Sequence, residues 1–538
     1  MTTGDETGQQ PGGGGDAHQP RRWSRRQVLG AAAKAGGGAA ALAVSGYIGY
    51  SWPRGSTGPV GTSSAAPLAP TARAPALGQQ VASFVSRPDL SPPTVTVDRR
   101  GRDFVPGSGA PRFILMAPKG YTASGPGQQG LMILDTDGHL VWFQPLPGSS
   151  SSPMDFSVQT YRGQQVLTWW QGTVKSGVGY GSCVIADASY RRIATVQAGN
   201  GLQADLHDFR LTPQNTALIT AFRTAAADLS ALGGPRNGKV LSGVAQEIDV
   251  ATGKVLFEWD SLRHVGVTET YLNLPGGKQA APFDYFHINS VGLAPDGDLI
   301  ISARNTWAVY KVDRHSGQVR WRLNGKRSDF AMGPGAKFYW QHDARLHPNG
   351  TLSVFDDGAS PPEEPRSRAI ILGLDTTRRR ATLLHQYTHP AGLLAANQGN
   401  TQLLPGGRVF VGWGNQPYFS EFLADGSLIL DGRLPANDQS YRSYTFNWVG
   451  HPSEPPTIAL GPNPTGSKTV YVSWNGATEL RSWRVLAGPD PSSLTPVATA
   501  RRNGFETAIS VNEKGPSFVA VALDRNGKEL GRSLPAQA

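Results

Sequence analysis

The sequence predicts an all-β protein, a six-bladed β-propeller followed by a small immunoglobulin- or fibronectin III-like β-sandwich, on three observations. First, 66 Gly and 41 Pro in 538 residues, with only 17% charged residues, separate short runs rich in Val, Ile, Thr, Trp and Phe, the composition of strands joined by turns. Second, a hairpin pattern recurs: an apolar run, an Asp, a turn with Gly and an apolar-aromatic run, as in ILDTDGHLVWF, EIDVATGKVLFEWD and YKVDRHSGQVRWRL. Third, a unit made of a polar start, a Pro/Asn/Asp/Gly turn and a β run lies ahead of such hairpins. A chain this long is also expected to split into more than one folded unit.

The chain starts with a polar, Gly/Gln-rich stretch that cannot bury enough apolar surface to fold. RRWSRRQVLGAAAKAGGGAAALAVSGYIGY follows, with Arg25 and Arg26 in SRRQVL just ahead of a weakly apolar Ala/Gly/Val run. Paired arginines, an apolar residue two positions on and a modest h-region form the twin-arginine export pattern. Residues 1–50 are therefore expected to be an export leader that delivers the folded protein to the cell envelope or the medium. Val28 to Tyr50 is just long enough to anchor the chain if the leader is retained, although Lys34 counts against it; no other membrane contact is expected. Residues 51–80 read as an extended Pro/Ala/Ser-rich linker, 81–450 as the propeller and 451–538 as the sandwich.

The formal net charge of +10 is spread over scattered Lys and Arg. Without a basic helix, a zinc-finger spacing or an aromatic RNA-binding signature it does not indicate nucleic acid, and it biases the surface mildly toward anionic small ligands. The single cysteine, Cys183, excludes an internal disulfide, argues against a thiolate metal site and reads as a buried strand residue.

Along the body, GLMILDTDGHLVWFQPL reads as strands Leu131 to Leu134 and Leu140 to Phe143 with Asp137-Gly138 in the turn. HDFRLTPQNTALITAFR (His207–Arg223), HINSVGLAPDGDLIISAR (His287–Arg304), HDARLHPNGTLSVFDD (His342–Asp357) and NTQLLPGGRVFVGWG (Asn400–Gly414) align on the Leu-x-Pro or Leu-Pro that opens each turn. Counted from that Pro, His207 and His342 hold one position and His287 lies two residues upstream, a shift that keeps the strand face. DFSVQTYRGQQVLTWWQG is a fifth unit with its polar start displaced. Two hairpins make a four-stranded sheet, and a repeat of roughly 50 to 80 residues suits a propeller blade with long loops. Counting the hairpin near Met132 gives about six blades between Arg112 and Trp448, with the Phe113 segment a candidate to complete the last. After SYTFNWVGHPSEPPTIAL, the runs KTVYVSWNG, SWRVLAG, FETAISV and FVAVALDRNGKELGRS alternate at sandwich-like intervals, with Trp474 and Trp483 as core candidates and no ligand chemistry.

In a propeller the inner strands line the central channel, so equivalent starts converge at one mouth. His207, His287, His342 and Asn400 would meet there, with Arg304 closing the strand after His287 and Arg223 matching it by position. A single His is more often a hydrogen-bonded structural residue than a catalyst. Three at near-equivalent places, among 11 in the chain, argue for a shared site. Imidazoles bind Zn, Cu or Ni, yet a permanent Arg charge beside them favours an anion. The alternative is transfer of an anionic group, a neutral imidazole attacking sulfur or phosphorus while Arg and the other His neutralise the equatorial oxygens. Trp307, Tyr339 and Trp340 flank these positions and are placed to stack on an aromatic ring, although blade packing is the more frequent role of such residues. A non-catalytic propeller that binds a glycan, a cell-wall polymer or a protein is the competing reading. A quinone or metal propeller fits less well, because carboxylate-rich loops are missing.

HINSVG with LIISARN, and then QHDARLHPNGTLSVFDDG, resemble the bacterial arylsulfate sulfotransferases; SRPDLSPP and ILDTDGHLVWF resemble the branch of that family found in actinobacteria and fungi. The resemblance runs from about Ser86 to Trp448. It implies a six-bladed propeller that moves a sulfuryl group from a phenolic sulfate ester to a phenolic acceptor by a ping-pong route through a sulfohistidine, with no soluble nucleotide donor, no cofactor and no metal. It makes His342 the sulfohistidine, His287 and Arg304 the sulfuryl-oxygen ligands, and His207 a further contact or acid/base group. Better characterised members carry an N-terminal sandwich and a disulfide near the site; here the sandwich-like segment is C-terminal and one Cys is present.

Overall fold

Alternating apolar runs bounded by Gly, Asn and Asp turns satisfy their backbone groups best by pairing with their neighbours in antiparallel sheets. The computed structural model describes residues 80–100, 112–120, 125–146, 152–274, 281–462, 468–512 and 515–538. Among them the only helices are single-turn 3-10 segments such as Ser230–Leu232 and Val267–Glu269. The expected export leader lies outside the described residues, as does the expected linker up to its last residue, Gln80. Among the described residues no helix is long and apolar enough to cross a membrane.

Hairpin follows hairpin in chain order. Ser152–Tyr161, Gln164–Lys175, Val178–Ala186 and Arg192–Val196 form one antiparallel set, joined through the Ala204–Gly181 pair to Ala204–Leu211, Thr216–Ala227, Gly238–Asp249 and Val255–Asp260. Ile288–Leu293, Leu299–Ala303, Ala308–Val312 and Val319–Leu323 make a four-stranded sheet. His342–Leu346, Thr351–Asp356, Arg368–Asp375 and Arg380–Tyr387 make the next, extended by the parallel Ala331–Met332. Asn400–Leu403, Val409–Gly412, Tyr418–Phe422 and Leu428–Arg433 follow, with Thr96–Arg99 on the outer edge. Finally Ser443–Asn447 pairs with Arg112–Met116, which pairs with Gly130–Leu134 and through it with Leu140–Pro145. The Phe113 segment thus joins the two ends of the repeat region in one sheet.

The first strand of each set touches that of the next: Ala204–Leu211 meets Ile288–Leu293, this meets His342–Leu346, and this meets Asn400–Leu403, while Ser443–Asn447 reaches Ser152–Tyr161. Side-chain oxygens stitch these strands together. Asp208 Oδ2 accepts from Val291 N at 2.8 Å, Ser290 Oγ from Ala344 N at 3.2 Å and Asp343 Oδ2 from Thr401 N at 3.1 Å. Asn400 uses both ends of its amide, accepting from Ser443 N at 3.0 Å and donating to Ser443 O at 2.9 Å. Between the strands sits fully buried Arg442, whose guanidinium bonds Asp155 at 3.0 Å, Asp208 at 2.8 Å and the Asn289 carbonyl at 3.2 Å. Apolar layers built on residues such as Trp170, Phe209, Trp259, Phe286, Ile301 and Tyr310 fill the space between adjacent sheets.

The C-terminal segment pairs Thr457–Pro462, Lys468–Ser473 and Glu506–Val511 in one sheet and Thr495–Arg501, Ser482–Gly488, Ser517–Leu523 and Glu529–Arg532 in another. One apolar core unites them, with Trp483 buried at its centre and Trp474 packed half-buried at its edge. Burial alternates residue by residue along Ser482–Gly488, the period-two signature of a strand with one covered face. This segment seals the edge of Leu140–Pro145, where the Asn475 amide accepts from Phe143 N and donates to Phe143 O, both at 2.9 Å. Glu506 takes hydrogen bonds from the backbone N–H of Ser86 at 2.5 Å and its hydroxyl at 2.6 Å.

Candidate active site

The strands that carry the histidines do not run straight into their sheets. Register breaks fall between Ala204 and Phe209, Ile288 and Ser290, and His342 and Arg345, and His287 and Asp343 adopt φ of 56° and 52°. A bulge at the start of a strand re-aims side chains. Here it turns the imidazoles toward one another. The ring centroid of His207 lies 4.8 Å from that of His287 and 6.4 Å from that of His342, and all three rings are buried.

Each imidazole is gripped by a carboxylate at Nδ1: His207 by Asp205 at 2.5 Å, His287 by Asp284 at 2.5 Å and His342 by Asp357 at 2.8 Å. Such a partner fixes the ring's orientation and leaves Nε2 for chemistry. At His342 the backbone N–H of Gln398 donates to Nε2 at 3.3 Å, which places the lone pair on Nε2 and the ring proton on Nδ1, donated to Asp357. Burial holds His342 well below the usual imidazole range, reinforced by the charge of Arg304 and by His207, His287 and Arg442. Burial also holds His287 low against the opposing pull of Asp284, and it pushes the Asp357 carboxyl up, opposed by Arg304. At neutral pH His342 is thus an uncharged, nucleophilic ring.

Arg304 follows strand Leu299–Ala303. Its guanidinium donates to Asn305 Oδ1 and to the Ala396 carbonyl, both at 3.1 Å, and lies 4.8 Å from the ring centroid of Trp340. Trp340 is buried, with its indole N–H donating to Pro361 O at 3.0 Å; it packs edge-on to Trp307 at 5.1 Å. Trp307 stacks on Tyr271 at 3.5 Å and meets Tyr339 edge-on at 4.9 Å. Both tyrosines are half-buried, so this aromatic group has a solvent-facing side.

The structure therefore brings together His207, His287, His342 and Arg304, with Trp340, Trp307 and Tyr339 alongside. Arg223 and Asn400 are engaged elsewhere. Arg223 follows Phe222, whose ring is 6.1 Å from His207 and 5.9 Å from His287; successive strand residues face opposite ways, and Arg223 instead pairs with Glu258 at 2.6 Å and with Asp260. The amide of Asn400 is spent on Ser443. Sequence reasoning missed Asp205, Asp284, Asp357, Gln398 and Tyr271. A carboxylate two or three residues before a histidine, as in Asp205-Leu-His207 and Asp284-Tyr-Phe-His287, was a legible signal for the first two. Asp357 lies across a hairpin and Gln398 in the loop that leads into strand Asn400–Leu403, so their proximity to His342 is tertiary.

Three imidazoles held by carboxylates at Nδ1, beside a guanidinium, can bind a tetrahedral anion, offer one nitrogen to its central atom and stabilise charge on its oxygens. Residues 157–434 match the arylsulfotransferase (ASST) family, a span that holds all of these groups. The chain belongs to the arylsulfotransferase family. Among solved structures, this arylsulfotransferase-family chain is similar to a protein of unknown function from Bacteroides caccae, at 13% identity over 63% of this chain and 99% of that one, with a TM-score of 0.37. It is also similar to a catalytically inactive virginiamycin B lyase from Staphylococcus aureus with quinupristin, at 10% identity over 72% and 95%, with a TM-score of 0.28. No curated protein matches the chain.

Proposed function

We propose that the chain is an exported arylsulfate sulfotransferase, a six-bladed β-propeller with a C-terminal fibronectin III-like sandwich, which passes a sulfuryl group between phenols through a covalent intermediate on His342. The observation that carries this is the triad of carboxylate-held imidazoles beside Arg304. In the first half-reaction His342 Nε2 attacks the ester sulfur, an N–S bond forms and the S–O(aryl) bond breaks. The electron pair leaves on the phenolate oxygen, and His207, entering the step as its imidazolium, supplies the proton. Arg304 and the remaining imidazole bind the sulfuryl oxygens as their charge builds. In the second half the acceptor phenol gives up its proton to the same group and its oxygen attacks sulfur, which restores His342. Family membership supports the aryl sulfate donor and the phenolic acceptor, and SRRQVL with its apolar run supports export to the cell envelope or beyond.

The full chain incubated with 4-nitrophenyl sulfate and a phenol acceptor is expected to release nitrophenol. His342→Ala is expected to abolish release, and Arg304→Ala to lower it by roughly 10²–10³-fold. Mass spectrometry of donor-treated protein is expected to find added sulfuryl mass on the peptide with His342. Wild-type release no faster than that of His342→Ala would overturn the enzymatic reading, and an unmodified peptide would overturn the covalent route.

A further inference from the structure

A buried cation that the steps above leave unused stands opposite Gln439, at the far end of a hydrogen-bonded relay from His342. Lys119 follows strand Arg112–Met116 and is only 8% exposed, yet among the described residues its ammonium has neither a hydrogen bond nor an ion pair. Burial alone, with no neighbouring charge contributing, draws its pKa down to about 8. A buried unpaired ammonium is costly, so a fold that keeps one at a ligand site leaves room for an anion.

Its direction follows from strand pairing. Lys119–Gly120 pairs antiparallel with Asp438–Gln439, Lys119 standing opposite Gln439, and residues directly opposite in such a pair project on one face with Cβ atoms ~5 Å apart. That face is turned toward the nucleophile: Gln439 Oε1 accepts from Gln398 Nε2 at 3.0 Å, and Gln398 N donates to His342 Nε2 at 3.3 Å. Asp438, next along, projects to the opposite face. In the same place Gln398 Oε1 is buried without a donor. Lys119 thus stands across a strand pair from Gln439, which two hydrogen bonds through Gln398 connect to His342 Nε2.

We infer that Lys119 is a specificity-determining residue that binds a second anionic substituent, a carboxylate or sulfonate, on the aryl ring of the substrate, at the end remote from the oxygen that exchanges the sulfuryl group. This rests on the sulfotransferase reading for the identity of the ring, and its test is one of binding. Equilibrium binding of 4-hydroxybenzoate and of 4-methylphenol to the full chain is measured for wild type, Lys119→Met and Lys119→Arg. Wild type is expected to prefer 4-hydroxybenzoate by about tenfold or more, the scale of one charge-assisted hydrogen bond. Lys119→Met, which keeps the bulk and removes the charge, is expected to erase the preference with 4-methylphenol binding unchanged; Lys119→Arg is expected to retain most of it. No preference in wild type, a preference that survives in Lys119→Met, or an equal loss for both ligands would each overturn the assignment. If the preference and its loss are found while no sulfuryl transfer occurs, the anion site stands and the transfer reading falls. Transfer without the preference has the reverse meaning.

Discussion

Two nitrogens of one ring have opposite duties at His342, and the residues around them set those duties. The Gln398 N–H marks Nε2 as the acceptor and Asp357 takes the proton of Nδ1, so the nucleophile is pre-set in one tautomer. Asp357→Asn keeps the shape but replaces the carboxylate with a neutral amide whose NH2 can face Nδ1 and favour the other tautomer, and sulfuryl transfer is expected to fall by roughly 10²–10⁴-fold with the fold unchanged by circular dichroism. Acid has a defined effect as well. In the unfolded chain His342 takes up a proton near 6.5, whereas the folded ring, buried and facing Arg304, resists it to well below that value. Below about pH 6.5 the unfolded state therefore binds more protons than the folded one, and stability falls as pH drops through that value and on toward the folded pKa. Urea unfolding at pH 7.5 and 5.0 is expected to show this loss, with a shallower decline in His342→Gln. The histidines themselves were legible in the sequence because three strand starts carried them. Their separate roles were not, since a role here depends on which carboxylate and which N–H a ring meets.

At the level of the strand, the Pro-anchored alignment placed His207 and His342 together and His287 two residues upstream. The structure gives that offset a physical form: His342 opens strand His342–Leu346, while His287 stands just outside strand Ile288–Leu293 at φ 56°. The three rings still meet, with a register break at the start of each of their strands. The start of strand Asn400–Leu403 needs close backbone approach, and Gly412, its partner, supplies it. A Cβ there would come 2.3 Å from Asn400 Oδ1 and 2.8 Å from Ser443 N. Gly412→Ala is therefore expected to break the amide clasp between Asn400 and Ser443 and to cost about 1–3 kcal/mol by denaturant unfolding. Hairpins and turns were readable from Gly, Asn and Asp punctuation. Bulges were not, because they fall at the strand starts, where the period-two run has barely begun.

Among the described residues the sheets share one buried cluster of charges. Arg442 bonds Asp155 and Asp208 and lies 3.8 Å from Asp343, while Arg345 and Arg210 approach Asp208 and Asp343 from the side. Removing the central cation strands buried carboxylates. Arg442→Met is expected to destabilise the protein by about 3–5 kcal/mol, read as a lower midpoint in chemical denaturation. The C-terminal sheets are tied to the same body through Asn475 and Glu506, and Asn475→Ala is expected to raise amide exchange in Leu140–Pro145, whose edge it covers.

The sequence by itself determined the strand-rich architecture, the recurrence of its hairpins and the candidacy of His207, His287, His342 and Arg304, because turn chemistry and periodicity are local properties. Only the tertiary structure decided which groups surround them. Asp357, Gln398, Gln439 and Lys119 come from separate stretches of the chain, and nothing in their local patterns distinguishes them from other polar residues. Their meaning arises when the sheets pack against one another and bring together residues distant in sequence.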